Sequence, residues 1–330
     1  MDGWATVGNG PWALVDAEPA AGEARAIVTG GLVPDTVTAI LRSESGQVAN
    51  GVLHTSEPGE PRPRQHIRSA GREASRGETL ISAGTVLDPA HIALAASAGV
   101  DSIAVQAAPG VSLILTGDEI VARGVPGPGQ VRDSFGIQLP TVLALLGAHV
   151  GSAVRVGDRL ETIVDALSDS HTPLLVTTGG TGTSAVDHVR SALAALHARI
   201  LVDGVAMRPG GPTTIAELPD GRLVACLPGN PLAAMIAAIT LCEPLIAGLA
   251  GRAARPTRIV GGVALAGRTS STMLVPYGAV DGRTTIVPWQ GSGMMRGLAE
   301  ASGLLVVPET GTVEGEHVES IDLPWIISPR

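Results

Sequence analysis

The sequence predicts an α/β protein whose centre is a doubly wound domain, flanked by a β-rich N-terminal domain and a small C-terminal β-barrel. Three observations carry this. Between Val111 and Gly229 apolar runs alternate with helical patterns, which implies a mostly parallel sheet covered on both faces. The text on either side is instead short, extended and broken by Gly and Pro. A chain of 330 residues exceeds one average domain.

The elements follow in order. Residues 1–84 read as the β-rich domain, with a polar loop near residues 55–79. Residues 85–108 form a connecting segment, in which "DPAHIALAASAG" predicts a short capped helix and "DSIAVQ" a strand. Residues 109–252 hold the strand runs "VSLILTGDEI", "AHVGSAVRVG", "TPLLVTTGG", "ARILVDGVAM" and "GRLVACLPG". Helical patterns such as "LPTVLALLG", "DRLETIVDAL", "DHVRSALAALHA" and "PLAAMIAAITLCEPLIAGL" separate or follow most of these runs. The stretch "GRAARPTR" reads as a linker to residues 253–330, where Asp281-Gly282 between two extended runs predicts a hairpin.

Composition narrows the function. Hydrophobic residues make up 45% of the chain, yet only four Trp, one Tyr and one Phe are aromatic, so the cores are built from Ala, Val, Leu and Ile. A net charge of -9 with no Lys/Arg block argues against a nucleic-acid partner. Cys226 and Cys242 lie in apolar stretches without metal spacing and read as reduced thiols. The N-terminus shows no signal peptide, and the apolar run Leu232–Cys242 is too short to cross a bilayer before Glu243-Pro244 ends it. The expectation is a cytoplasmic protein with no membrane partner.

Ligands of doubly wound sheets collect outside the carboxyl ends of the strands. Four turns are placed there: Thr116-Gly117-Asp118-Glu119, Thr177 to Gly182, Met207-Arg208-Pro209-Gly210, and Leu227-Pro228-Gly229-Asn230-Pro231. In the last, Asn230 is positioned to cap a helix that Pro231 opens, leaving amides directed outward at an anion. The glycine run Gly179, Gly180, Gly182 does the same before a helix near Val186. Each turn alone is as often a bare turn as a site. Acidic residues Asp118, Glu119, Asp133 and Asp187 beside such cradles imply a hard cation such as Mg²⁺ between carboxylate and anion. Each of these acids alone is more often a helix cap or a solvated side chain. Arg132, Arg190 and Arg208 could add positive charge, although surface arginines mostly do nothing specific. A rival reading takes Gly180 to Ala185 as G-x-G-x-x-A and Asp203 as a ribose-binding acid, which implies an NAD-dependent oxidoreductase. The eight histidines are scattered and no serine-hydrolase elbow occurs.

The motifs "ILTGDEI", "GQVRDS" leading to "LLGAHV", "VTTGGTG...VD", "VAMRPGGP" and "LPGNPLAA", in this order, resemble those of the molybdopterin molybdenumtransferases, the MoeA and gephyrin E-domain family. The likeness extends to "MDGWA", "VTGGLVPDTVTAILRSE", "IRSAGREASRGETLISAGTVLDP" and "WQGSG", and so spans nearly the whole sequence. It implies a homodimer whose central domain shares the MogA/MoaB fold and binds molybdopterin. The implied reaction uses adenylylated molybdopterin and molybdate, with Mg²⁺, and releases AMP. By this resemblance Glu119, Asp133, Asp187 and Arg208 are catalytic, and Glu119 and Asp187 hold the metal. Thr116, Gly117, Asp118, Ser134, Thr178, Gly179, Gly180, Thr181, Gly182, Gly210, Pro228, Gly229, Asn230 and Pro231 bind substrate. Asp2 and Thr29 match residues that reach the site from the partner subunit.

Departures from the pattern bear on activity. Phe135 replaces an asparagine, GGTGTS replaces GGVSxG, and the two-lysine K-P-G-K-P becomes Arg208-Pro-Gly-Gly211-Pro. Guanidinium does not substitute freely for a mobile ammonium. The sequence opens at the MDG motif, and a reduced dimer arm or a misassigned start is the corresponding expectation. A homologue that binds molybdopterin or its finished cofactor without inserting metal is the alternative.

Overall fold

The computed structural model describes residues 1–179 and 188–326. It divides into two compact units, Met1–Asp101 and Ser102–Arg330.

The first unit is built on short strands β1 (Gly3–Thr6), β2 (Trp12–Leu14), β3 (Glu23–Ile27), β4 (Ala39–Arg42), β5 (Gly46–Ala49) and β6 (Val52–Thr55), followed by helix α1 (Pro89–Ser97). The strands form one sheet in the order β4-β1-β3-β2-β6-β5. Trp12, Ala24, Leu41 and Leu53 pack its core. Gly3 lets β1 approach β4, since a Cβ there would stand 2.0 Å from the Leu41 carbonyl oxygen. As expected, α1 is capped: Asp88 accepts from the His91 backbone N–H at 2.9 Å, and Pro89 opens the helix.

The expected strand at "DSIAVQ" does not form; residues 101–108 are exposed and have no regular structure. The physical reason is the lack of a pairing partner, without which an apolar run gains nothing from extending.

The second unit contains β7 (Gly110–Thr116), β8 (Ile120–Val121), β9 (Val131–Arg132), α2 (Phe135–Leu145), β10 (His149–Val156), α3 (Leu160–Asp169), β11 (Leu174–Thr178), α4 (His188–Ala195), β12 (Arg199–Asp203), β13 (Met207–Arg208), β14 (Thr214–Glu217) and β15 (Leu223–Leu227). Helices α5 (Pro231–Ala237) and α6 (Glu243–Leu249) follow, joined by a π-helical turn at Ala238–Cys242. The rest comprises β16 (Arg258–Gly261), β17 (Thr272–Val280), β18 (Arg283–Ile286), α7 (Arg296–Ala299), β19 (Gly303–Val307) and β20 (His317–Asp322).

The central sheet has the order β10-β7-β11-β15-β14-β12. The pairs β10/β7, β7/β11 and β11/β15 are parallel, whereas β14 runs antiparallel to both neighbours. Leu139 and Leu143 of α2 join Met235 of α5 and Ile246 of α6 in one buried cluster with Leu113, Val176 and Ala225 of the sheet. Ile163 and Leu167 of α3 join Val189 and Leu193 of α4 in a second cluster with Ile114, Leu175 and Val224. Neighbouring strand positions thus feed opposite clusters, as a sheet covered on both faces requires.

The α5–α6 helix, Pro231–Leu249, is by length and composition apolar enough to cross a membrane, but 67% of its most apolar window is buried within the protein. It runs on past Glu243-Pro244, as the helical pattern "PLAAMIAAITLCEPLIAGL" predicts, so this pair ends the apolar run but not the helix. The wider π turn lies directly ahead of Pro244, whose ring would clash with a carbonyl four residues back in regular α-helix.

The C-terminal sheet has the order β13-β17-β19-β20-β16, with β18 paired to β17. The expected hairpin is present, with Asp281 at φ 48° and Gly282 at φ 74° between paired Val280 and Arg283. Leu274, Val287, Leu298 and Leu304 share the cluster that contains Leu139 and Met235, so one core runs through this unit. The stretch read as a linker is docked: Arg252 donates to Glu243 at 2.8 Å and to the Leu146 carbonyl at 2.7 Å, and Arg255 donates to the Leu145 carbonyl at 2.5 Å.

Candidate functional site

Register places three of the four turns side by side. Thr178 pairs with Leu115 on one flank and Leu227 on the other, so the turns leaving β7, β11 and β15 emerge from adjacent strands at one edge of the sheet. They are also bonded together. The Thr116 hydroxyl donates to the Thr178 carbonyl at 2.6 Å, and the Gly179 N–H donates to the Leu227 carbonyl at 3.0 Å. Gly179 has φ 79°, and a Cβ on it would stand 3.0 Å from Thr116 Oγ1. A side chain there would be strained and crowded at once. Gly229 lies against it, its Cβ direction 3.7 Å from Gly179 Cα.

Asp118 and Glu119 are exposed at this edge. The Glu119 carboxylate turns back over Gly117, where a Cβ would lie 3.0 and 3.2 Å from its two oxygens. Asp118 leans towards Gly157 and Asp158, accepting from the Asp158 N–H at 3.4 Å. The buried hydroxyls of Thr177 and Thr178 lack a hydrogen-bond partner among the described residues. Hard oxygen donors are therefore exposed where these strands end. Gly180, Thr181, Gly182 and Asp187 lie outside the described residues.

Other expected positions have different local duties. Asp133 is buried, and both of its oxygens are engaged: Oδ1 accepts from the Gly136 N–H at 2.9 Å at the start of α2, and Oδ2 meets Arg155 of β10 at 2.5 Å. Its geometry is that of a clamp between helix and strand. Ser134 is the N-cap residue of α2 but makes no side-chain cap bond. Nothing in "GSAVRVG" announces Arg155 as the partner of Asp133.

The Met207–Gly210 turn is a correction. Met207 and Arg208 form β13 and pair with Thr272 and Met273 of the C-terminal sheet, so they do not end a strand of the central one. Only the loop's two anchors, Asp203 and Thr214, belong to the central sheet. Arg208 is exposed and makes no ion pair among the described residues. Gly210 is buried, and a Cβ would stand 2.7 Å from the Met207 methyl and 3.3 Å from the Ala233 carbonyl. That makes it a packing glycine against α5.

The Pro228–Pro231 turn needs a correction too. Asn230 is the N-cap residue, with Pro231 next, but its side chain makes no cap bond. The first free amides of the helix, on Leu232 and Ala233, donate to the Ser292 carbonyl at 2.9 and 3.2 Å. They do not point outward unpaired. A carbonyl from the "WQGSG" loop satisfies them, a long-range partner that local sequence does not encode.

Of the arginines considered, Arg132 donates to the Val121 and Ala122 carbonyls, and Arg190 is bonded to Asp203 and Thr214. The hydrogen bond from Arg190 holds the Asp203 carboxyl below its ordinary range. Strands β15 and β14 separate Asp203's strand from β11, roughly 14 Å at the usual strand spacing. A dinucleotide fold needs that acid on the neighbouring strand and free for ribose, so the geometry disfavours the NAD reading.

In the first unit, Asp2 and Thr29 meet directly. One Asp2 carboxylate oxygen accepts both the Thr29 backbone N–H at 2.7 Å and its hydroxyl at 2.9 Å. These bonds, the backbone one foremost, lower the Asp2 pKa.

Comparison with known proteins covers most of the chain. Residues 1–99 match the family described as MoeA N-terminal region (domain I and II), residues 112–248 the probable molybdopterin binding domain, and residues 264–323 the MoeA C-terminal region (domain IV). A Mycobacterium tuberculosis protein named molybdopterin molybdenumtransferase 2 is 30% identical over 307 residues, covering 87% of this chain and 73% of its own length. A molybdopterin molybdenumtransferase of Nostoc sp. is 30% identical over 240 residues, covering 70% of this chain and 54% of its own length. The solved MoeA protein of Pyrococcus horikosii superposes with a TM-score of 0.72 at 24% identity, covering 98% of this chain and 86% of that one, and so shares the fold.

Proposed function

The chain belongs to the molybdopterin molybdenumtransferase family, and on that premise we propose that it inserts molybdate into adenylylated molybdopterin and releases AMP. The observation that carries this is the lateral bonding of Thr116, Thr178, Gly179 and Leu227, which gathers the TGDE, TTGG and LPGN turns at one sheet edge.

The residues divide the work as follows. Thr178, Gly179 and Gly229 border the phosphorylated end of the pterin; the Thr178 hydroxyl is buried there, without a hydrogen-bond partner among the described residues. Glu119 and Asp118 present carboxylates beside that end. Two exposed acids, with no group of three His, Cys, Asp or Glu converging among the described residues, fit Mg²⁺ better than a metal caged wholly by protein. Glu119, together with Asp187, would hold Mg²⁺, which when bound neutralises phosphate charge. Asp133 keeps α2 registered on β10. Arg208 supplies a cation for the molybdate oxyanion or the phosphate. Catalysis in this scheme is mainly positioning and charge neutralisation. The functional unit is a homodimer in the cytoplasm, with Asp2 and Thr29 contributed to the partner's site.

The test incubates purified protein with adenylylated molybdopterin, Mg²⁺ and molybdate and measures AMP. Molybdate-dependent AMP release is the expected result. Its absence from a well-folded dimer favours the second reading, a carrier of molybdopterin or finished cofactor. One observation favours that reading: Arg208 and Gly211 stand where the family pattern has lysines.

A further inference from the structure

The loop that caps α5 carries a feature none of these roles uses. Trp289 is 48% exposed, and among the described residues no other Trp, Tyr or Phe is exposed. In a chain with so few aromatics, the rest serve cores or partly buried packing. Trp289 also sits at φ 65°, a left-handed conformation that a bulky residue adopts only when its surroundings impose it.

Those surroundings are visible. The Gln290 side-chain amide donates to the Val287 and Pro276 carbonyls at 2.6 and 3.1 Å, pinning the loop to its own sheet. Behind it, Gly297 packs so closely that a Cβ would stand 2.5 Å from the Pro288 carbonyl and 2.7 Å from that of Trp289. The Arg296 guanidinium lies 4.7 Å from the Trp289 ring centroid and also faces Glu300 at 3.6 Å. Three residues after Trp289, the Ser292 carbonyl takes the α5 amides that follow the LPGN turn. Three residues span at most about 10 Å, so the indole stands within reach of the site's rim.

Resting on the function proposed above, we infer that Trp289, backed by Arg296, is a stacking platform for a planar heterocycle of the substrate. A rigid, half-exposed indole bearing a guanidinium suits an electron-poor ring that carries phosphate nearby. The substrate offers two such rings, pterin and adenine. Both would stack; which one docks is left to the arms of the test.

The experiment uses the full chain and two probes, AMP and neopterin phosphate, with dissociation constants from equilibrium dialysis and indole emission. The variants are Trp289→Gly and Trp289→Phe. Glycine tolerates φ 65° without strain, so a Trp with a merely structural role predicts a lower Tm for Trp289→Gly. The platform predicts an unchanged or higher Tm together with a dissociation constant raised about tenfold or more for one probe. Trp289→Phe restores binding to within about threefold, because the ring is kept. The probe that loses affinity names the ring, and KM for the adenylylated substrate rises with it. Equal affinities for both probes and equal KM in wild type and Trp289→Gly overturn the platform alone. If wild type binds neither probe and releases no AMP, the functional reading fails and takes the platform with it.

Discussion

The Thr116 hydroxyl and the Thr178 carbonyl, 62 residues apart in sequence, meet at 2.6 Å and latch two strand ends together. The bond is buried and therefore stronger than its solvent-exposed equivalent. Thr116→Val keeps the shape and removes the donor, leaving a buried carbonyl with one fewer partner. A loss of about 1 kcal/mol in urea unfolding is expected, with AMP release falling more than stability does. Thr116→Ser should restore both.

Asp133 and Arg155 behave as a clamp, with side chains 10% and 30% exposed. Asp133→Asn leaves Arg155 without its counter-charge at a partly dry position. A loss of roughly 1–3 kcal/mol is expected, below that of a fully buried pair because Arg155 still reaches solvent. A double-mutant cycle with Arg155→Met should return most of it. A catalytic Asp133 would instead show collapsed turnover in folded Asp133→Asn protein.

What the sequence disclosed, and what it did not, divides along a physical line. Thr116–Glu119, Thr178–Gly179 and the Asp281-Gly282 hairpin were legible because a glycine after an apolar run is a local statement about φ and ψ. The same holds for the Asp88 cap on α1. Strand β14 is legible only through Pro219-Asp220-Gly221, a turn signal that separates it from β15. The Ser292 cap on α5, the transfer of Arg208 to the C-terminal sheet and the Arg155 partner of Asp133 were not legible. Each joins segments more than twenty residues apart whose local patterns are indifferent to the pairing. Helix signals correctly located the start of α5, but not what would satisfy its amides.

Glu119 is exposed, so its replacement should separate activity from stability. Glu119→Gln is expected to unfold at the same temperature as wild type, within about 0.5 kcal/mol. Its Mg²⁺-dependent AMP release should fall on the order of 100-fold or more, as for loss of a charge-stabilising group. Rates within threefold of wild type would remove Glu119 from the site.

The Asp2–Thr29 contact gives a pH signature. Its native pKa is lowered by hydrogen bonds to the charged form. The sign follows from linkage: the contribution is fully present above the unfolded-state carboxyl pKa and is lost as pH falls through the lower native one. Wild type should therefore exceed Asp2→Ala in Tm at neutral pH. The gap should close in the acid range, beginning near pH 4, where an ordinary aspartate protonates. A gap that is the same at pH 7 and pH 3 would show that the charge is irrelevant to the contact.

Glu243 and Arg252 tie the α5–α6 helix to the end of α2. The Glu243 side chain is 6% exposed and Arg252 is 23% exposed; the guanidinium also reaches the Leu146 carbonyl, while Glu243 accepts from the Arg255 N–H at 3.2 Å. Removing the carboxylate leaves the Arg252 guanidinium with only the Leu146 and Ala253 carbonyls as partners and frees the Arg255 N–H. Glu243→Ala should cost roughly 2–3 kcal/mol, below a fully buried pair because Arg252 still reaches solvent. Pairing Glu243→Leu with Arg252→Met should recover much of that, since apolar side chains of similar volume suit the site once neither charge needs an answer. The comparison is read by urea unfolding with AMP release measured alongside. A double variant as unstable as Glu243→Ala would mean that Arg252's carbonyl bond, and not its ion pair, holds the helices together.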